Sequence, residues 1–169
     1  MATLELKFGD LFDSKADAIG HGTNTHGKMG AGIAVLFRKR HPEMYERYRE
    51  VCEVFGDDLG GSTFLYFDEQ PDAEPLPYSY IANIFSQKAP GANATVEMLV
   101  DGLKDAYAAL WGEHEVESPS IAIPLIGCGI GGLDWDRDVH PALIELTSKL
   151  PADWKLTVVS NEPREGFEA

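Results

Sequence analysis

Leu4, Leu6 and Phe8 alternate with Glu5 and Lys7 and stop at Gly9-Asp10, the pattern of a half-buried strand that ends in a turn. Asp17 to His21 reads as a short second strand. A loop from Gly22 to Gly32 follows, and a helix starts at about Gly30 with Ile33, Leu36 and Phe37 as its buried stripe. Pro42 lacks the amide that a continuing helix needs and disfavours helix at His41. The pattern therefore predicts a break there and a second short helix opening on Pro42 and running through Met44, Tyr45 and Tyr48. Further along, Ser62 to Phe67 and Tyr80 to Phe85 are rich in strand formers, and the proline- and acid-rich stretch 68–77 between them predicts an exposed loop. Val96, Leu99, Leu103, Tyr107 and Leu110 recur at helical spacing within Thr95 to Trp111. Ser120 to Leu125 predicts a strand, Val139 to Leu150 a helix and Trp154 to Val159 a last strand.

Strands that alternate with crossover helices imply a mixed, largely parallel sheet with helices on both faces, a three-layer α/β/α fold. No repeat or linker divides the chain, so residues 1–169 are expected to form one domain. In such sheets ligands bind beyond the carboxyl ends of the strands, and the glycines cluster there.

Composition narrows the classes. With 14 basic and 28 acidic residues the formal net charge is −14, which argues against general nucleic-acid binding and against docking on anionic membranes. Six of the 14 cations (Lys28, Arg38, Lys39, Arg40, Arg47 and Arg49) fall between residues 28 and 49. That stretch is either a less negative entry for a phosphate-bearing ligand or, with Glu43, Glu46 and Glu50 interspersed, a solvated helix face. The first residues carry neither a secretory pattern nor an apolar run of membrane-spanning length. Cys52 and Cys128 give no disulfide framework and no metal cluster, which suits a reducing cytoplasm. The histidines and carboxylates lack metal-ligand spacing, and no cofactor is implied.

Candidate chemistry sits in two loops. His21-Gly-Thr-Asn-Thr-His-Gly-Lys-Met-Gly-Ala-Gly-Ile33 follows a strand and opens a helix, so its amides can converge on an anion at the positive end of the helix dipole. Gly30 and Gly32 would let backbone approach phosphate oxygens. The spacing is neither a Walker A nor a dinucleotide fingerprint, and one such loop also fits a tight turn. The second loop, Ile126 to Gly132, again follows a buried strand and holds four glycines in seven residues, more than a turn needs. Two such loops in one small domain point to a shared diphosphate cleft. Asp10, at the end of the first strand, suits either an amino group such as that of adenine or a cap on the next segment.

Gly9-Asp10-Leu11, Lys28-Met-Gly-Ala-Gly-Ile-Ala-Val-Leu-Phe37 and Pro124-Leu-Ile-Gly-Cys-Gly129 together resemble a macrodomain, in the branch of the terminal ADP-ribose protein glycohydrolase and the ADP-ribose 1″-phosphate phosphatases. The resemblance implies that Asp10 holds the adenine amino group and Leu11 supports the ring. It implies that Lys28, Met29, Gly30, Ala31, Gly32, Ile33 and Ala34 cradle one part of the diphosphate and distal ribose, with Asn24 facing that ribose. Ile126, Gly127, Cys128, Gly129, Ile130 and Gly131 would close over the other side. Ser86 and Gln87, at a strand end on the ligand side, are expected at the distal ribose or its substituent, and Asn161 near the adenine end.

The function implied is binding of ADP-ribose or a derivative with hydrolysis of a bond at the distal ribose, as a 1″-phosphate phosphatase or a de-ADP-ribosylating hydrolase of macromolecules. The alternative is a binding module without catalysis. Where the glycohydrolase has an aspartate after its Gly-Cys-Gly turn this chain has Gly131, with Asp134 three residues on, and Lys88 lies close to the position of its lysine. A phosphatase-like scheme uses His21 to orient water or protonate a leaving oxygen, with Asp134 as partner carboxylate. His21 equally suits packing at a strand end. His26 is a second candidate, whereas His41, His114 and His140 read as surface or helix-end residues. Trp135 reads as an anchor of the following helix, and Cys128 as small packing without an evident base.

Overall fold

Near-continuous apolar runs such as Tyr80–Phe85 and Ser120–Ile123 suit strands buried on both faces, while the alternation of Thr3–Phe8 suits an edge strand. In the computed structural model, which describes residues 1–69 and 74–169, six strands form one sheet: Thr3–Phe8 (β1), Ala18–Thr23 (β2), Thr63–Phe67 (β3), Tyr80–Phe85 (β4), Ser120–Ile123 (β5) and Lys155–Ser160 (β6). Their order is β1-β6-β5-β2-β4-β3, with every pairing parallel except that of β3 with β4. Helices Ile33–Arg40 (α1) and Pro42–Phe55 (α2) cover one face, where Phe37, Met44 and Tyr48 pack on Ile19, Ile81, Phe85 and Val159. Helices Val96–Ala108 (α3) and His140–Lys149 (α4) cover the other, where Leu99, Leu103 and Leu143 meet Ala82, Ile84, Ile121, Ile123, Leu156 and Val158. No described helix is long and apolar enough to cross a membrane.

Several boundaries differ from the sequence reading for local reasons. β2 extends to Thr23 because Gly22 and Thr23 pair with Ile84 and Phe85 of β4. α1 starts at Ile33 rather than near Gly30, since Gly32 has φ +61° and ψ −147°, outside helical space. α2 is a full 14-residue helix, longer than the short one expected. The third helix is capped by the Thr95 hydroxyl on the Met98 amide and ends in a π-type turn over Ala109–Glu113. Another π-type turn, Trp135–Val139, leads into α4 with Trp135 buried and stacked on His140.

The expected exposed loop 68–77 is corrected at its start. The Asp68 side chain is only 7% exposed and pairs with His41 Nδ1, while His41 Nε2 lies 2.8 Å from the Tyr78 hydroxyl. His41 is therefore at a helix end, as one of the two expectations had it, but buried at the junction of α1 and α2 rather than on the surface. Residues 74–77 are exposed, and 70–73 lie outside the described residues.

His21 sits inside the α1–α2 layer. Asn83 Nδ2 donates to the Phe64 carbonyl, so its Oδ1 accepts from His21 Nε2 at 2.8 Å, and the ring stacks on Phe37 with centroids 3.8 Å apart. Burial pushes the His21 pKa down to about 4, against a partial opposing effect of the Asn83 hydrogen bond. As pH falls from about 6.5 to about 4, the unfolded chain takes up a proton that the folded chain refuses. Stability should thus drop across that window by up to roughly 3 kcal/mol and level off below it. His41, also depressed by burial, acts in the same direction. Urea melts at pH 7 and pH 4.5 should show a smaller drop for His21→Gln than for the wild type; equal drops would clear His21 of the effect.

Candidate functional site

The carboxyl ends of the central strands open into a cavity of about 840 Å³, walled by the segments after β1, β2, β4, β5 and β6. At one end Asp10 Oδ1 accepts the Phe12 amide at 2.9 Å and caps a short 3-10 turn, Leu11–Asp13, with Leu11 and Phe12 buried. The Arg40 guanidinium lies 4.2 Å over the Phe12 ring and covers it from outside. Asn161, just past β6, shares this end.

The first loop, between β2 and α1, is tied by the Thr25 amide on the Lys88 carbonyl at 3.0 Å and beyond that by side chains. Asn24 Oδ1 accepts the amides of His26 and Lys28 at 3.0 and 3.3 Å, and its Nδ2 donates to the Lys28 carbonyl at 2.9 Å. The Tyr48 hydroxyl, from α2, donates to the Asn24 carbonyl at 2.7 Å. Met29 is buried in the α1–α2 layer and thereby pins the loop. Gly32, as N-cap, brings no side-chain acceptor to the first turn of α1; the Val35 amide turns back to the Gly32 carbonyl at 3.2 Å, and Ile33 and Ala34 stand in the cavity wall with no side-chain cap on their amides.

The second loop folds back through Leu133 N to the Gly127 carbonyl at 2.8 Å and turns at Gly129–Gly131. Its Ile130, 57% exposed, reaches across so that a Cβ on Gly32 would lie 3.4 Å from its Cδ1. The two glycine loops thus meet over the middle of the cleft. Cys128 lies in this wall with its thiol pushed up to about 11 by burial, and is not a thiolate nucleophile near neutral pH.

At the far end, after β4, Gln87 Nε2 donates to the carbonyls of Ala89 and Gly91 at 2.7 and 3.0 Å and braces that turn. Ser86 is buried beside it. The cavity wall includes every ligand-binding position named from the sequence, from Asp10 and Leu11 through Lys28–Ala34 and Ser86 to the second loop and Asn161. It also includes Gly9, Phe12, Gly22, Thr23, Leu36, Pro90, Gly91, Pro124, Leu125, Val159 and Ser160. Most of these adjoin the same strand ends, so the signal that found the loops extends to them. Leu36 and the 90–91 turn carried no such signal.

The two acid/base candidates are not in that wall. His21 lies outside the wall with its ring stacked on Phe37 in the core, fully buried and neutral. Asp134 is exposed, outside the wall, with its carboxylate accepting the Arg137 amide at 2.7 Å as the cap of the Trp135–Val139 turn. Lys88 also lies outside: its carbonyl takes the Thr25 amide and hydroxyl, and its Cε runs to within 3.5 Å of the Cβ position of Gly60. Of the cation-rich stretch only Lys28 lines the cleft; Arg47 and Arg49 pair with Glu50 and Glu46 on the solvent face of α2.

A three-layer α/β/α fold with two glycine loops over the strand ends defines an α/β domain whose cleft presents backbone donors in the arrangement that suits an anion. The family model "Macro domain" matches residues 21–142, and the chain belongs to the macrodomain family. It is 32% identical over 143 residues to a DNA ADP-ribosyl glycohydrolase of Mycobacterium tuberculosis, covering 85% of this chain but 38% of that protein. It is 33% identical over 150 residues to an ADP-ribose 1″-phosphate phosphatase of Candida albicans, covering 81% of this chain and 89% of that one. The macrodomain of Thermus aquaticus DarG superposes with a TM-score of 0.77 at 31% identity, over 96% of this chain and 100% of the other. The chain spans a little over a third of the length of the glycohydrolase relatives it matches.

Tyr48→Phe removes the hydroxyl that anchors Asn24 and should cost about 1 to 2 kcal/mol. Hydrogen exchange of the His26 and Lys28 amides should quicken with it; unchanged exchange at both would show that the loop is held by other contacts.

Proposed function

We propose that this chain, as a single macrodomain over residues 1–169, binds ADP-ribose or a derivative in the cleft and hydrolyses a bond at its distal ribose. The observation that carries the binding reading is the match between the order of strands and the order of parts in the ligand. Asp10 and Asn161 stand over β1 and β6, the two amide loops over β5 and β2, and Ser86 and Gln87 over β4. At about 4.8 Å per strand this row spans roughly 19 Å, enough for adenosine, diphosphate and second ribose laid end to end. The loops offer backbone donors to the diphosphate, and Lys28 places a cation in the wall of a chain whose net charge is −14.

Two relatives more than 30% identical are named for hydrolysis at the distal ribose, which supports the same for this chain. Between the two linkages, release of a 1″-phosphate is favoured. Lys88, which would serve a lysine-adduct route, lies outside the cleft wall with its Cε beside Gly60. ADP-ribose freed from macromolecules, DNA included, remains the other linkage. The second reading, binding without turnover, is favoured by the placement of His21 and Asp134 outside the wall, which leaves Asp10, Lys28 and Cys128 as the ionisable side chains in it. Two free cysteines fit a reducing cytoplasm as the working compartment.

Incubation with ADP-ribose 1″-phosphate should release inorganic phosphate; tight binding without release would leave the binding module or hydrolysis of the other linkage. Gly32→Glu puts a carboxylate where the diphosphate lies and should weaken ADP-ribose binding about hundredfold or more while circular dichroism stays native. Equal affinity for that variant would place the ligand elsewhere.

A further inference from the structure

The polar side chains at the β4 end of the cleft are nearly all committed within the protein. Thr23 Oγ1 donates to the Ile84 carbonyl, Thr25 Oγ1 to Asp57 and the Lys88 carbonyl, Asn24 to the loop it braces, and Gln87 Nε2 to Ala89 and Gly91. Ser86 is the buried exception. It is 1% exposed and lines the cleft, and its Oγ is one of two buried side-chain polar atoms without a partner among the described residues; the other, His21 Nδ1, is in the core.

The site around that hydroxyl is shaped to keep it in place. The Ser86 amide donates to the Ile84 carbonyl at 2.8 Å, and its carbonyl takes the Thr95 amide at 3.1 Å, so the backbone is fixed on both sides. A Cβ on Gly22 would stand 2.6 Å from Ser86 Oγ and 2.8 Å from Ile126 Cγ2, so only glycine at 22 leaves the hydroxyl room at the floor of the cleft. A buried hydroxyl without a partner destabilises the unliganded fold, and a ligand that supplies the missing partner recovers that loss on binding.

We propose that Ser86 is a specificity-determining residue whose hydroxyl hydrogen-bonds the distal ribose of the ligand, while the Asn24 carboxamide and Gln87 Nε2 hold the loops around it. This rests on the ADP-ribose reading of the cleft. Ser86 then distinguishes ADP-ribose from ADP, which has the same adenosine and diphosphate but no second ribose.

The test is calorimetry of wild type and Ser86→Ala with ADP-ribose and with ADP, beside thermal melts of the unliganded proteins. Ser86→Ala should lose about three- to tenfold in ADP-ribose affinity, keep its ADP affinity, and melt no lower than wild type. Should the alanine variant melt lower, Ser86→Cys, close in size but a weak donor, must show the same split between the two ligands. Unchanged affinity for ADP-ribose, or equal losses for both ligands, overturns the assignment. Wild type that binds ADP but not ADP-ribose overturns it alone, and wild type that binds neither overturns the reading of the cleft with it.

Discussion

A loop that offers its backbone amides to a ligand cannot use the same amides to hold itself together. In this protein the Asn24 carboxamide meets that constraint: it takes two loop amides and the Lys28 carbonyl, and the Tyr48 hydroxyl on α2 fixes the Asn24 carbonyl in turn. With residues 24–28 tied down in this way, the stretch from Gly30 to Ala34 is free to face the cavity. Met29 adds an apolar pin into the same helical layer. The sheet beneath sets only where the loop begins; these few side chains set where it points.

The same division of labour runs along the whole cleft. Gln87 braces the turn after β4, Asp10 caps the turn after β1, and Leu133 anchors the second loop through its amide. Most polar groups near the ligand space therefore serve as framework, and the ligand is left with backbone donors, Lys28 and the Ser86 hydroxyl. Backbone donors fixed in advance suit a diphosphate, because they need no side-chain ordering when it arrives. They also suit an acidic protein, since binding then needs no cluster of cations on the surface.

How much of this was legible in the sequence follows from the kind of information each feature needs. Alternation and glycine placement are local, so the strands, the three layers and both loops could be read directly, and the loop residues do fall in one cleft wall. What a side chain does at the end of a strand is not local. His21 and Gly22 are neighbours on β2, yet His21 packs against Phe37 within the core while Gly22 and Thr23, nearer the strand end, reach the cleft wall. Asp134 lies close in sequence to the second loop, but the chain turns away at Gly132 and uses it as a cap. His41 and Asp68 are 27 positions apart, and no pattern in either stretch announces their buried contact.

Titration of the wild-type protein with ADP-ribose in a calorimeter tests the central claim most directly. The strand-ordered cleft predicts saturable binding of one ADP-ribose per chain, with adenosine alone and ribose 5-phosphate alone each binding far more weakly because each engages only part of the row. Absence of ADP-ribose binding, or affinity for either fragment equal to that for the whole, would contradict the account.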